Sequence, residues 1–303
     1  MRAAIYQAPP AAMAAVASRL GRTDRQAFAR EVARLAVRSL HAELCLYPKP
    51  GLVSPVDSGS HDDMDAGTFM RSMFSLRHYF RKICLAGWDD APFAQLKQLG
   101  IAAEKAMLKA TRGINTHRGA IFSLGMLCAT AGRARAQATP MTPAGLRAAL
   151  LIRWGEELAV HASASAAATS NGLRVAARYA VSGAREEGAL GLPSVFEVGI
   201  PALLASRARG ATVTEERVDT LYTLMAHISD SNVYHRAGPR GARMVREHAE
   251  RFLRQGGTAN VNWHADALRS HQIFVQHRLS PGGAADLLAA CCLVQSLAAL
   301  EDK

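Results

Sequence analysis

A chain of 303 residues that is 49% hydrophobic and only 20% charged is long enough to bury a substantial core and too apolar to remain disordered. Its net charge of +11 leaves three classes of partner open: nucleic acid, an anionic membrane, or small substrates that carry several phosphates. Five cysteines, odd in number and without Cys-x-x-Cys spacing, read as core thiols of a reducing cytoplasm rather than a disulfide framework.

In chain order, residues 1–22 are expected to be a poorly structured N-terminal segment, and Gln7, Pro9 and Pro10 break any hydrophobic region that could serve as a signal peptide. Thr23-Asp24 caps a helix whose Phe28, Val32, Leu35 and Leu40 recur at helical spacing up to Pro48. A second helix follows Asp65, with Phe69, Met73, Leu76, Phe80 and Ile83 stepping by four and three. Thr142-Pro143 is a cap with proline at the first helical position, opening a segment to about Val160. Thr214 with Glu215 and Glu216 opens another toward Ile228, and Leu287 to Leu300 reads as a buried helix too short to span a bilayer. Val213 and Val195 to Val198 are too isolated to make a sheet. Weak boundaries at Ala131 to Thr142 and Ser206 to Thr212 are too short for interdomain linkers, so the fold class is all-α, one compact multi-helix catalytic domain over residues 23–303.

Polar, glycine-bearing stretches interrupt these helices. Asp57, His61, Asp62, Asp63 and Asp65 gather carboxylates and an imidazole around a helix start, a hard-oxygen set that suits magnesium shared with substrate phosphates; helix capping is the competing role, and the preferred one for Asp62. Asn115, Thr116, His117 and Arg118 precede an apolar helix near Ala120, where backbone N–H groups and the arginine could meet an anion. Asp230, Asn232, His235 and Arg236 mix a metal ligand with phosphate donors at a helix end, where a solvated C-terminal turn is the alternative. Ser280 to Asp286 is rich in small residues that let backbone approach a ligand, and the Asn171-Gly172 and Gly183 to Gly188 segments add Arg185 and Glu187. The arginines at 236, 240, 243, 246, 251 and 254 form either a basic patch or a solvated helix face. No P-loop, dinucleotide fingerprint or Ser-His-Asp order is present.

Taken in order, Glu43, Pro48-Lys49-Pro50-Gly51-Leu52-Val53, Gly59-Ser60-His61, Asp63-Met64-Asp65 and Gly113-Ile114-Asn115-Thr116-His117-Arg118-Gly119 resemble the triphosphoribosyl-dephospho-CoA synthase family. The resemblance continues through Asn171-Gly172, Gly183-Ala184-Arg185, Asp230-Ser231-Asn232-Val233-Tyr234-His235-Arg236 and Ser280-Pro281-Gly282-Gly283-Ala284-Ala285-Asp286, so it spans roughly residues 30 to 295. Ser54 and Asp57 stand where many members have Asp and Asn, Arg118 where Lys is common, and Glu186 where Gly is usual. The Ser54 and Asp57 form points to the malonate decarboxylase branch rather than the citrate lyase branch.

The resemblance implies a cytoplasmic, mostly helical enzyme that joins ATP to 3'-dephospho-CoA with release of adenine, making the precursor of an acyl-carrier-protein prosthetic group. It implies Mg2+ at Asp63, Asp65 and Asp230, and Glu43 or Glu187 as general base. His117 or His235 would assist adenine departure, while Lys49, Arg118, Arg185 and Arg236 grip phosphates. Ser60, His61, Asn115, Thr116, Asn232, Gly282 and Gly283 complete the expected substrate-binding set. No nucleic acid and no membrane are expected as partners, and an exposed helical face is compatible with a homodimer. Two rival readings remain: a hydrolase releasing adenine from ATP without an acceptor, and a basic nucleic-acid-binding protein.

Overall fold

The computed structural model describes residues 10–163 and 184–301, with side chains from residue 24 in the first stretch and from residue 186 in the second. Among the described residues the structure contains helices and turns and no strand, in agreement with the all-α reading. The first half comprises α1 (Pro10–Leu44), α2 (Ala66–Trp88), α3 (Phe93–Ala110), α4 (Arg118–Ala136) and α5 (Pro143–Ser163). The second comprises α6 (Ala184–Ala189), α7 (Ile200–Ala208), α8 (Val213–His227), α9 (Ser231–Arg254), α10 (Trp263–Gln276) and α11 (Gly282–Ala298). Both halves feed one hydrophobic core that runs from Ala29 to Leu297.

Local signals place most of the helix starts. Asp65 Oδ1 accepts the backbone N–H of Thr68 at 2.7 Å, so α2 begins directly after it. Gly145 N donates to Thr142 Oγ1 at 3.1 Å, and Pro143 opens α5. α8 starts two residues earlier than expected. A reciprocal cap needs a carboxylate three positions after the hydroxyl, which Thr212 has in Glu215, whereas Thr214 is followed at that distance by Arg217. Likewise α1 begins at Pro10, so Thr23 and Asp24 lie inside it instead of capping it; the stretch before them is alanine-rich, with Gly21 as the one weak helix former other than its opening proline. The Val195 to Val198 run forms a wide π-type turn over Ser194–Gly199.

The centre is built from two kinds of packing. α11 is apolar on nearly every side and sits buried against α1, α4 and α8, as a helix without a polar face must. α2 and α4 approach so closely that a Cβ on Gly87 would lie 1.9 Å from the Ala129 carbonyl oxygen and one on Gly132 would lie 2.0 Å from that of Cys84. Two polar groups trapped in this core are satisfied: Tyr79 OH donates to Ile121 O at 2.9 Å and Trp154 Nε1 donates to Ala91 O at 2.9 Å. Four cysteines are buried, but Cys45, just past the end of α1, is exposed and does not belong to the core. Within α9, Gly238 has φ 61 and precedes Pro239, which lacks an N–H, so the helix kinks there.

Replacing Gly87 with alanine is expected to destabilise the fold by about 1–3 kcal/mol through overpacking against the α4 backbone. Gly155 of α5 faces only ordinary contacts beginning at 3.6 Å. Its alanine variant should instead gain up to about 1 kcal/mol from helix propensity. Urea unfolding of the two variants checks the contrast, and equal shifts would refute the close approach.

Candidate active site

The starts of α4, α9 and α11, together with the loop between α1 and α2, line a cleft of about 1090 Å³. Pockets for small ligands commonly occupy roughly 300–1,000 Å³, so this one has room for two nucleotide-sized molecules. Helix starts carry unpaired N–H groups and partial positive charge, and three of them around one cavity favour anions.

Asp230 joins two of these starts. It caps α9 by accepting Asn232 N at 2.9 Å on Oδ1, and its Oδ2 accepts Gly283 N at 2.8 Å and Ala284 N at 3.1 Å from α11. Burial raises its carboxyl pKa, and these backbone N–H groups oppose that shift. Asp286, one turn into α11, reaches the start of α4, where it accepts from Ala120; a Cβ on Gly119 would sit 2.2 Å from its Oδ2. Its carboxyl is pushed well above the ordinary range, first by loss of hydration and then by the Glu43 and Asp230 carboxylates. Glu43 is buried and pairs with Lys49, whose Nζ donates to Oε1 at 2.6 Å and to the Glu43 backbone carbonyl at 2.8 Å. Burial lowers the Lys49 pKa and the pairing holds it up; an ammonium has three protons, so one donor position is left for the cleft.

Two histidines differ from free imidazoles. His61 Nδ1 accepts from Arg236 at 2.9 Å, and since a guanidinium only donates, the ring proton is on Nε2 and goes to Ser280 Oγ at 2.8 Å. Burial and the Arg236 charge lower its pKa to about 4. Arg236 also donates to Ser60 O at 3.1 Å, tying α9 to the first loop. His117, at the start of α4, is buried and belongs to the cleft lining; burial and the Lys49 charge lower its pKa to about 3. Its Nδ1 lies 2.6 Å from Ser72 Oγ, and its buried Nε2 has no hydrogen-bond partner.

Most of the expected site residues come together here. Glu43, Lys49, His61, Asp63 and Asn115 line the cleft, as do Thr116, His117, Arg118 and Glu187. So do Asp230, Asn232, His235, Arg236, Gly282 and Gly283. The Asp230 to Arg236 segment opens α9 rather than forming a C-terminal turn, because the Asp230 side chain accepts from Asn232 N and so caps the helix that follows.

Two expected residues stand apart from the cleft lining. Ser60 is buried, and its hydroxyl donates to Leu279 O at 2.6 Å, which ties the first loop to the segment after α10. Asp65 caps α2 through Oδ1, which accepts from Thr68 N and Oγ1, both at 2.7 Å. Asp230, expected at a metal, spends both oxygens on backbone N–H groups. Glu187 accepts from Ser194 with both oxygens, and Arg118 pairs with Glu104. The Arg185 side chain, Asn171, Gly172 and Gly183 lie outside the described residues. The buried cleft carboxyl that sequence reasoning did not single out is Asp286; it closes the Ser280 to Asp286 stretch, but its contact with Gly119, 167 positions earlier, is not revealed by spacing.

A family model described as ATP:dephospho-CoA triphosphoribosyl transferase matches residues 29–303. The chain is 39% identical over 254 residues to an Acinetobacter calcoaceticus protein named "probable 2-(5''-triphosphoribosyl)-3'-dephosphocoenzyme-A synthase", covering 84% of this chain and 86% of that one. It is 37% identical over 278 residues to a Pseudomonas putida protein of the same name, covering 90% and 96%. A Pectobacterium atrosepticum 2-(5''-triphosphoribosyl)-3'-dephosphocoenzyme-A synthase is 34% identical over 270 residues, covering 87% and 88%. No solved structure matches the chain.

The neutral state of His61 has a thermodynamic signature. Its pKa in the fold, about 4, lies below the 6.5 of an ordinary histidine, so between these values the unfolded chain binds a proton that the native state refuses. Stability therefore falls as pH is lowered from 6.5 to 4. The His61→Gln variant, which cannot titrate, should lose less stability than the parent over that interval in urea unfolding at a series of pH values. Parallel curves would show that the ring is protonated in the native state.

Proposed function

Because the chain belongs to the ATP:dephospho-CoA triphosphoribosyl transferase family, we propose that it moves the triphosphoribosyl group of ATP to the 2'-hydroxyl of 3'-dephospho-CoA and releases adenine. The observation that carries this reading is the convergence of three helix starts on one cleft large enough for both nucleotides. Both substrates are polyanions, and helix starts with Lys49 and Arg236 offer donors to their phosphates.

In the reaction the bond from the ribose C1 to adenine breaks and a bond from C1 to the acceptor oxygen forms. The hydroxyl loses a proton, and adenine gains one. Positive charge grows on the sugar meanwhile, so nearby carboxylates lower the barrier. Burial, with the Glu43 and Asp230 carboxylates nearby, raises the Asp286 carboxyl, and we assign Glu43 and Asp286 together as acceptor of the hydroxyl proton. Glu187 is less suited because Ser194 already occupies both its oxygens. We assign His117 to the adenine, as a neutral imidazole with an unpaired nitrogen in the cleft lining; His235 is exposed in the same lining.

Among the described residues no three His, Cys, Asp or Glu side chains are grouped to cage a metal. Among its described lining residues the cleft carries more carboxylates than Lys and Arg side chains, and a cation accompanying the polyanion would offset those that remain ionised. This donor set fits magnesium that arrives on the triphosphate, keeps waters, and takes Asp63 as its protein ligand. When bound, the ion would neutralise part of the phosphate charge. The product would serve as precursor of an acyl-carrier-protein prosthetic group in the cytoplasm, and Ser54 and Asp57 favour the malonate decarboxylase branch.

Purified protein with ATP, magnesium and 3'-dephospho-CoA should release adenine only when the acceptor is present, with a triphosphoribosyl adduct appearing by mass. Adenine without acceptor would instead identify a nucleosidase. Asp63→Asn should raise the magnesium concentration for half-maximal turnover several-fold, and an unchanged magnesium dependence would remove Asp63 from the metal.

A further inference from the structure

Ser72 belongs to none of the polar loops. It lies in the second turn of α2, between Phe69 and Leu76, on a face that packs into the core, and it is completely buried. Its hydroxyl nevertheless bridges two side chains that open α4: Thr116 Oγ1 donates to Ser72 Oγ at 2.7 Å, and Ser72 Oγ stands 2.6 Å from His117 Nδ1. A serine hydroxyl has one proton to give. With the relay running from Thr116 through Ser72, that proton is directed at Nδ1, which is then the bare nitrogen of the ring. In that arrangement the proton of the neutral imidazole resides on Nε2, the buried atom without a partner, in a residue of the cleft lining. The edge-on contact of Phe69 with His117, at 4.9 Å between ring centres, holds the ring in this orientation.

Resting on the transferase reading above, we propose that Thr116 and Ser72 are positioning residues that fix His117 as its Nε2–H tautomer, and that this N–H donates to a ring nitrogen of the adenine in bound ATP. The acceptor is the base rather than a phosphate because the donor is an uncharged ring N–H packed edge-on against Phe69. When the C1 to adenine bond breaks, the bonding pair goes to the base and its nitrogens become stronger acceptors. The hydrogen bond thus tightens in the transition state, which is what accelerates the step. His117 keeps its proton throughout, and the proton gained by adenine balances the one lost by the acceptor hydroxyl.

The tautomer can be read directly on the free protein. Long-range 1H–15N spectra of 15N-histidine-labelled protein at neutral pH, with His117 assigned by its loss in His117→Gln, should show a protonated Nε2 and a bare Nδ1. In Ser72→Ala and Thr116→Val that signature should shift toward the Nδ1–H form. The kcat for adenine release should fall about 10- to 100-fold, as on loss of a histidine's orienting partner, with KM for dephospho-CoA little changed. An Nδ1–H or doubly protonated ring in the parent overturns the relay, as do folded Ser72→Ala and Thr116→Val proteins that retain both tautomer and kcat. If the parent shows the stated tautomer but no acceptor-dependent adenine release, the reaction and the adenine contact fall while the relay stands.

Discussion

A single buried carboxylate, that of Asp230, sets the geometry on which the cleft depends. The starts of α9 and α11 each present unpaired N–H groups and a partial positive charge, and bringing two such ends together without a counter-charge is unfavourable. Asp230 accepts from both, and Asp286 on α11 repeats the device at the start of α4. Three helices that are far apart in sequence are thus fixed end to end around one cavity. The close fit demands glycine where the carboxylates land: Asp230 lies 3.0 Å from where a Gly283 Cβ would be, and Asp286 lies 2.2 Å from that of Gly119. Stability and site formation are therefore the same set of contacts.

This arrangement costs hydration, and the electrostatics of the site follow from that cost. Burial raises the carboxyls of Asp230 and Asp286 and lowers His61, His117 and Lys49, so every one of these groups is biased toward its uncharged form. Helix dipoles and backbone N–H groups supply fixed polarity that needs no proton and no reorganisation. Oriented but weakly charged surroundings suit a reaction in which charge develops on a sugar and on a departing base while the phosphates keep theirs.

What sequence made legible was local. Asp65 before α2 and Thr142-Pro143 before α5 announce their helices because a cap acts within three or four residues. The apolar run from Leu287 announces a buried helix because no polar face interrupts it. The polar loops were recognisable as parts of one site by their residue types, and the cleft unites them. Roles that depend on a partner distant in sequence were not legible. Ser60 reads as a ligand donor, and nothing near it in sequence announces that its hydroxyl donates to Leu279 O, 219 positions later. Asp65 looked like a metal ligand because a carboxylate at a helix start serves capping and coordination equally well. Ser72 carried no signal at all, since a serine within a helix is ordinary until Thr116 and His117 are brought against it.

The net charge of +11 is not concentrated where the phosphates would bind. Beyond the kink at Gly238, Arg240, Arg243, Arg246, Arg251 and Arg254 point to solvent while Val245, Ala249 and Phe252 pack inward, so the basic run is the outer face of an amphipathic helix. Before the kink, the same helix contributes Asn232, His235 and Arg236 to the cleft. The two segments divide the electrostatic work. Exposed arginines raise the potential around the molecule and draw polyanions toward it, an effect that acts over about a Debye length. Within the cleft, oriented N–H groups and a few paired cations take over, because free arginines there would bind substrate and transition state alike and gain nothing for the chemical step.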